Sequence, residues 1–160
     1  MDVIVTGSFD PFTLGHLRLV EYARQKYDKV YVVALVNNEK DYMFSLEEKK
    51  EIIKHSVAHI DNVVVDAYAG LTADYMHEHN IFAIVRGIRD IADESYEKNL
   101  AKAMKEFDTR FETDFYYICD DDTDVSSTFV RELLKKGENI DDYVCPNACK
   151  FIKALYFKKT

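Results

Sequence analysis

Five short apolar runs alternate with amphipathic segments of helical period along this chain, and that alternation restricts the fold more than any other feature. The runs cover residues 3–6, 29–36, 63–68, 81–85 and 114–119, and are rich in Val, Ile, Phe and Tyr. Near-continuous apolarity is the pattern of strands covered on both faces. Between the first two runs, Leu17, Val20, Ala23 and Tyr27 share one face of a helix predicted over 16–27. Ser45-Leu46-Glu47-Glu48 forms a capping box for the next helix. Further helices are predicted over 93–107 and over 126–136, where Gly137 ends the second. A closing helix runs over 146–157. Strands alternating with helices require a parallel sheet with right-handed crossovers. The expectation is an α/β fold: a Rossmann-like, doubly wound, five-stranded parallel sheet with a C-terminal helical extension, in one domain over 1–160.

In sheets of this kind, ligands bind beyond the carboxyl ends of the strands, where the strand order reverses. The loops to inspect are therefore 7–16, 37–40, 69–72, 86–90 and 120–127. The first reads Gly7-Ser8-Phe9-Asp10-Pro11-Phe12-Thr13-Leu14-Gly15-His16. A strand handing over through glycine to a helix start directs N–H groups and the positive end of the helix at one spot, which suits a phosphate. It lacks the GxGxxG spacing of a dinucleotide site, and reads as a place to handle a nucleoside triphosphate.

Net charge is −8, which excludes a general nucleic-acid binder, since that class carries a basic face. Yet His16, Lys40, Arg86 and Arg89 all emerge at one rim of the expected sheet, so an acidic protein gathers cations locally. The apolar runs are too short to span a bilayer. Met1 leads straight into the first strand without room for a signal peptide, so a cytoplasmic location is expected. Cys119 reads as a core residue. Cys145 and Cys149 are separated by Pro146, which starts a helix between them and argues against a zinc pair.

Arg86 and Arg89 bracket Gly87 just past a buried strand, and the guanidinium fork matches phosphate oxygens bidentately. The bland reading is a surface pair tied to Asp90 and Asp93. Lys40 taken alone reads as a solvated lysine. His16 is a poor cap beside Ser, Thr, Asp or Asn, which favours a functional role. Ser126-Ser127-Thr128 can cap a helix and also offer hydroxyls to an anion, whereas Asp120, Asp121, Asp122 and Asp124 read as a solvated acidic loop. His55, His59, His77 and His79 read as surface residues. No Ser-His-Asp or Cys-His set can be assembled at the rim. That absence fits a nucleophile already ionised at neutral pH, such as a phosphate.

The first motif resembles the (H/T)xGH signature of the nucleotidyltransferase superfamily. Arg86-Gly87-Ile88-Arg89, Asp93 with Tyr96-Glu97, and Val125-Ser126-Ser127-Thr128-x-Val130-Arg131 narrow the resemblance to the phosphopantetheine adenylyltransferases. That resemblance implies transfer of the adenylyl group of ATP to 4′-phosphopantetheine, giving dephospho-coenzyme A and pyrophosphate. It implies that His16 stabilises the pentacoordinate α-phosphate with help from Ser8. Ser8, Lys40, Leu71, Thr72 and Arg86 would hold phosphopantetheine. Ser8, Phe9, His16, Gly87, Ile88, Arg89, Glu97, Asp122, Thr123, Asp124, Val125, Ser126, Ser127 and Thr128 would line the ATP site. Mg²⁺ would arrive with ATP, no protein metal site is expected, and the family assembles as hexamers. Two departures stand out: Glu94 where the family carries an aromatic residue, and the acidic stretch 120–124. The alternatives are a nicotinamide-mononucleotide adenylyltransferase, a CTP-dependent polyol-phosphate cytidylyltransferase, or a catalytically silent nucleotide-binding module.

Overall fold

The computed structural model describes residues 1–36, 41–118 and 126–159. Its strands are β1 (Asp2–Gly7), β2 (Lys29–Leu35), β3 (Val63–Tyr68), β4 (Ala83–Ile88) and β5 (Glu112–Tyr117). Among the described residues they form one sheet in the order β3-β2-β1-β4-β5, with every pair parallel. The helices are α1 (Leu14–Lys26), α2 (Leu46–Ser56), α3 (Thr72–Glu78), α4 (Ile91–Phe107), α5 (Ser127–Lys135) and α6 (Pro146–Lys159). This is the expected Rossmann-like, doubly wound sheet with C-terminal helices.

Side chains alternate between the two faces of each strand, and the core divides accordingly. Val3, Val5, Val32 and Val85 pack with Leu17 and Val20 of α1, Ile52 and Ile53 of α2, Val130 of α5 and Ile152 of α6. Ile4, Val33 and Ile84 face the other way, against Tyr75 and Met76 of α3 and Met104 of α4. The order in which strands are added to the sheet reverses between β1 and β4, all strands running parallel, which puts the loops after these two strands side by side. Asp114 on β5 holds α1 in place. It accepts from Tyr22 and Tyr27 hydroxyls at 2.9 Å each and from Lys26 at 2.7 Å.

Several boundaries differ from the sequence expectation, each for a local reason. Helix α3 was not foreseen, because only Tyr75 and Met76 of its seven residues are buried, too few to show a period. The Ile81 N–H bonds the Met76 carbonyl at 2.9 Å, so Ile81 closes the turn after α3 and β4 starts at Ala83. Asp90 caps α4 by accepting from the Asp93 N–H, which starts that helix at Ile91. β5 starts and ends two residues before the predicted run. His77 and His79 are exposed as expected; His77 meets Asp108 at 2.8 Å. Cys145 is buried ahead of α6, and the Cys149 thiol donates to Asp141 at 2.9 Å. Cys119 lies outside the described residues.

Candidate active site

The loop after β1 is tightly folded and tied down from both sides. Phe9 has φ 46°, a left-handed conformation that costs a bulky residue about 1–3 kcal/mol. Its ring, 2% exposed, and that of Phe12 are buried in the core, and this burial offsets the strain. A Cβ on Gly7 would stand 2.9 Å from the Phe9 ring, so only glycine fits there. Asp10 and Pro11 are joined by a cis peptide bond. The buried Asp10 carboxylate accepts from the Met43 and Phe44 N–H groups at 2.8 and 2.9 Å. Arg131 of α5 donates to the Asp10 carbonyl at 2.7 Å, and the Ser127 hydroxyl donates to the Pro11 carbonyl at 2.8 Å. Sequence reasoning gave Asp10 no role. The signal was a carboxylate flanked by Phe9 and Pro11, which must find donors if it is buried. Behind this loop, Lys49 is buried with its ammonium 3.3 Å from the centre of the Tyr42 ring, and burial lowers its pKa.

His16 is the third residue of α1, and Thr13 is its N-cap. The Thr13 N–H donates to His16 Nδ1 at 3.0 Å. An occupied Nδ1 acceptor places the ring proton on Nε2. The imidazole lies edge-on to Phe9, with centroids 4.9 Å apart, and tilted against Phe12 at 5.4 Å. Burial, aided by the positive charge of Arg89, pushes its pKa down to about 3. The ring is therefore a neutral Nε2–H donor at physiological pH and too weak a base to take a proton there. The sequence argument set capping against function, but the structure ties only Nδ1 into the cap and keeps Nε2 out of it.

That shift carries a pH consequence. An unfolded His16 takes up a proton as pH falls through about 6.5, whereas the folded ring stays neutral until about pH 3. Its contribution to stability is thus complete above about pH 6.5 and is lost as pH falls toward 3. Side-chain ¹⁵N spectra should show an unprotonated Nδ1 and no titration of His16 between pH 5 and 8. A ring that titrates near 6.5 would contradict the assignment.

On β4, the Arg86 guanidinium is held by Glu97 of α4 through Nε to Oε2 at 2.8 Å and Nη2 to Oε1 at 2.7 Å. Its partner is thus Glu97, not Asp90 or Asp93, because α4 begins early enough to bring Glu97 back over the sheet. Arg89 is exposed, and its backbone N–H bonds Asp93 at 3.2 Å. Among the described residues no carboxylate pairs with the Arg89 guanidinium, and its charge reaches His16. Gly87 lets α1 approach β4, since a Cβ there would sit 3.3 Å from Leu19 and 3.2 Å from Ile118. Ile88 is buried below this rim, and Ser8 is exposed above it. Ser126 caps α5 by accepting from Phe129, and exposed Thr128 accepts from Arg131 at 3.1 Å. Leu71 is exposed and precedes Thr72 at the start of α3, beyond the end of β3. With two strand spacings between β3 and β1, that end is about 10 Å across the sheet from the end of β1. Lys40, Asp122, Thr123, Asp124 and Val125 lie outside the described residues.

Residues 4–133 match the family described as cytidylyltransferase-like. The chain belongs to the cytidylyltransferase-like nucleotidyltransferases. Among relatives of this cytidylyltransferase-like chain, the phosphopantetheine adenylyltransferase of Shouchella clausii is 37% identical over 96% of each chain. That of Thermotoga neapolitana is 34% identical over 99% of this chain and 96% of its own. In structure, the chain is similar to a bifunctional NMN adenylyltransferase/ADP-ribose pyrophosphatase from Francisella tularensis, solved with AMP and a manganese ion. The TM-score is 0.71 at 19% identity, over 99% of this chain and 49% of that one. This second likeness is one of fold. The matched stretch contains the His16 loop, β4 and α4.

Proposed function

We propose that this nucleotidyltransferase transfers the adenylyl group of ATP to 4′-phosphopantetheine, giving dephospho-coenzyme A and pyrophosphate. The observation that carries the reaction class is the state of His16: a neutral donor, held by Thr13 and unable to act as base at neutral pH. A neutral imidazole that donates from Nε2 fits a nucleophile that arrives already ionised, as a phosphate does. An acceptor phosphate oxygen forms the new bond to the α-phosphorus while the bond from that phosphorus to the bridging oxygen breaks. Pyrophosphate leaves with the electron pair, and no proton has to move.

His16 Nε2–H donates to a non-bridging α-oxygen, where charge gathers in the transition state. Arg86, aligned by Glu97, receives the acceptor phosphate together with Ser8, Lys40 and the Leu71-Thr72 segment. Phe9, Gly87 to Arg89, Glu97 and residues 122–128 border ATP, which binds as its magnesium chelate. Phe9 acts from behind, as the wall that orients the imidazole. The choice of phosphopantetheine over other phosphate acceptors is supported by the near full-length likeness to the two adenylyltransferases. A role in coenzyme A biosynthesis, a cytoplasmic location and hexameric assembly belong to the same proposal.

Pyrophosphate release measured across a panel of acceptors and nucleotides tests it. Turnover is expected with ATP and phosphopantetheine. Turnover confined to nicotinamide mononucleotide, or to a polyol phosphate with CTP, would replace the acceptor. ATP binding without pyrophosphate release from any acceptor would make the protein a silent binding module.

A further inference from the structure

Thr6 interrupts the apolar run of β1 with a hydroxyl that is buried, at 8% exposure. A buried hydroxyl needs a partner, and this one accepts from Arg86 Nη1 at 3.2 Å. The pairing follows from strand register. Val5 lies beside Val85, so one residue further on Thr6 lies beside Arg86. Both share the sheet face of Ile4 and Ile84, the face that α4 covers with Glu97.

A guanidinium carries five N–H groups in a plane. Glu97 takes one from Nε and one from Nη2. Thr6 takes one from Nη1. One N–H on each Nη is left, and a phosphate oxygen is an acceptor that such charged donors bind strongly. Glu97 alone would let the plane rock about the edge it holds. A second contact on Nη1, from the neighbouring strand, stops that rotation.

We infer that Thr6 is a positioning residue for the acceptor phosphate: with Glu97 it sets the plane of Arg86 and leaves two N–H groups for a phosphate monoester. The inference rests on the proposed function, which gives Arg86 to the acceptor. It adds a residue that no sequence motif pointed to, where side chains of β1 and β4 share a hydrogen bond.

Thr6→Val keeps the branched shape among valine and isoleucine neighbours but removes the acceptor oxygen, while Thr6→Ser retains that oxygen. Thr6→Val should raise the KM for phosphopantetheine about threefold to tenfold, with kcat and the KM for ATP within about twofold, the scale of one ordinary net hydrogen bond. Thr6→Ser should behave as the parent protein. An unchanged acceptor KM in Thr6→Val, a matching rise in the KM for ATP, or a serine variant as impaired as valine would overturn the inference.

Inorganic phosphate supplies an arm independent of acceptor identity. Followed by the Arg86 Nε–H signal, saturation should need about threefold to tenfold more phosphate in Thr6→Val and no more in Thr6→Ser. An Arg86 signal indifferent to phosphate in the parent protein, or equal saturation in all three, would also overturn it. If the phosphate arm holds while phosphopantetheine is not turned over, the acceptor assignment fails and the role of Thr6 stands.

Discussion

Replacing His16 with alanine should lower kcat by about 10²–10³, the scale of losing one preorganised donor at a developing oxyanion. The substrate KM values should change far less, because the lost interaction is made in the transition state. The same substitution removes the acceptor for the Thr13 N–H. A second, separable effect follows: a loss of about 0.5–2 kcal/mol, as for other N-terminal capping contacts. His16→Gln offers an amide donor near the position of Nε2 and should recover part of the rate. Steady-state kinetics and a urea melt on the same samples distinguish the two effects. A variant with full turnover would remove His16 from the chemistry, whatever its stability.

Arg86→Ala should be the most destabilising single change at the rim. It strips the partner from Glu97, whose side chain is only 8% exposed. Breaking a buried ion pair from one side costs about 3–5 kcal/mol. Arg86 keeps a quarter of its side chain in solvent, so a loss of about 2–4 kcal/mol is expected here. In a chain of this size that lowers Tm by roughly 5–15 °C. Replacing both partners with methionine should restore most of the stability, because no carboxylate is then left buried without a cation. Acceptor binding should not return in the double variant. Recovery of turnover there would show that Arg86 serves the fold alone, and a single variant as stable as the parent would show that the pair is not coupled.

Glu97 illustrates why the sequence could be read only so far. As part of the Asp93, Tyr96, Glu97 block, it drew attention as a nucleotide contact. Its strongest interaction is instead structural and runs to another site residue eleven positions away. Phe9 is a similar case: the motif marks it as a lining residue, yet its ring is buried behind the imidazole. Motif spacing identifies which residues gather at a site, because the chain must bring them there. It does not separate a residue that touches substrate from one that holds a neighbour still.

The sequence alone determined the winding of the sheet, the rim that carries the loops, and the presence of His16 and Arg86 on it. Those properties follow from local periodicity, since a strand buried on both faces and a helix buried on one leave different apolar patterns along the chain. Tertiary structure alone decided the pairings: Arg86 with Glu97 and Thr6, Asp10 with the amides of Met43 and Phe44, Asp114 with three side chains of α1 and its end. It also decided the protonation of His16, which depends on what surrounds the ring. Register and burial set these contacts, and both arise only when segments distant in the chain pack together. The Thr6 hydroxyl and the Arg86 guanidinium, eighty residues apart, meet because two parallel strands align by one particular step.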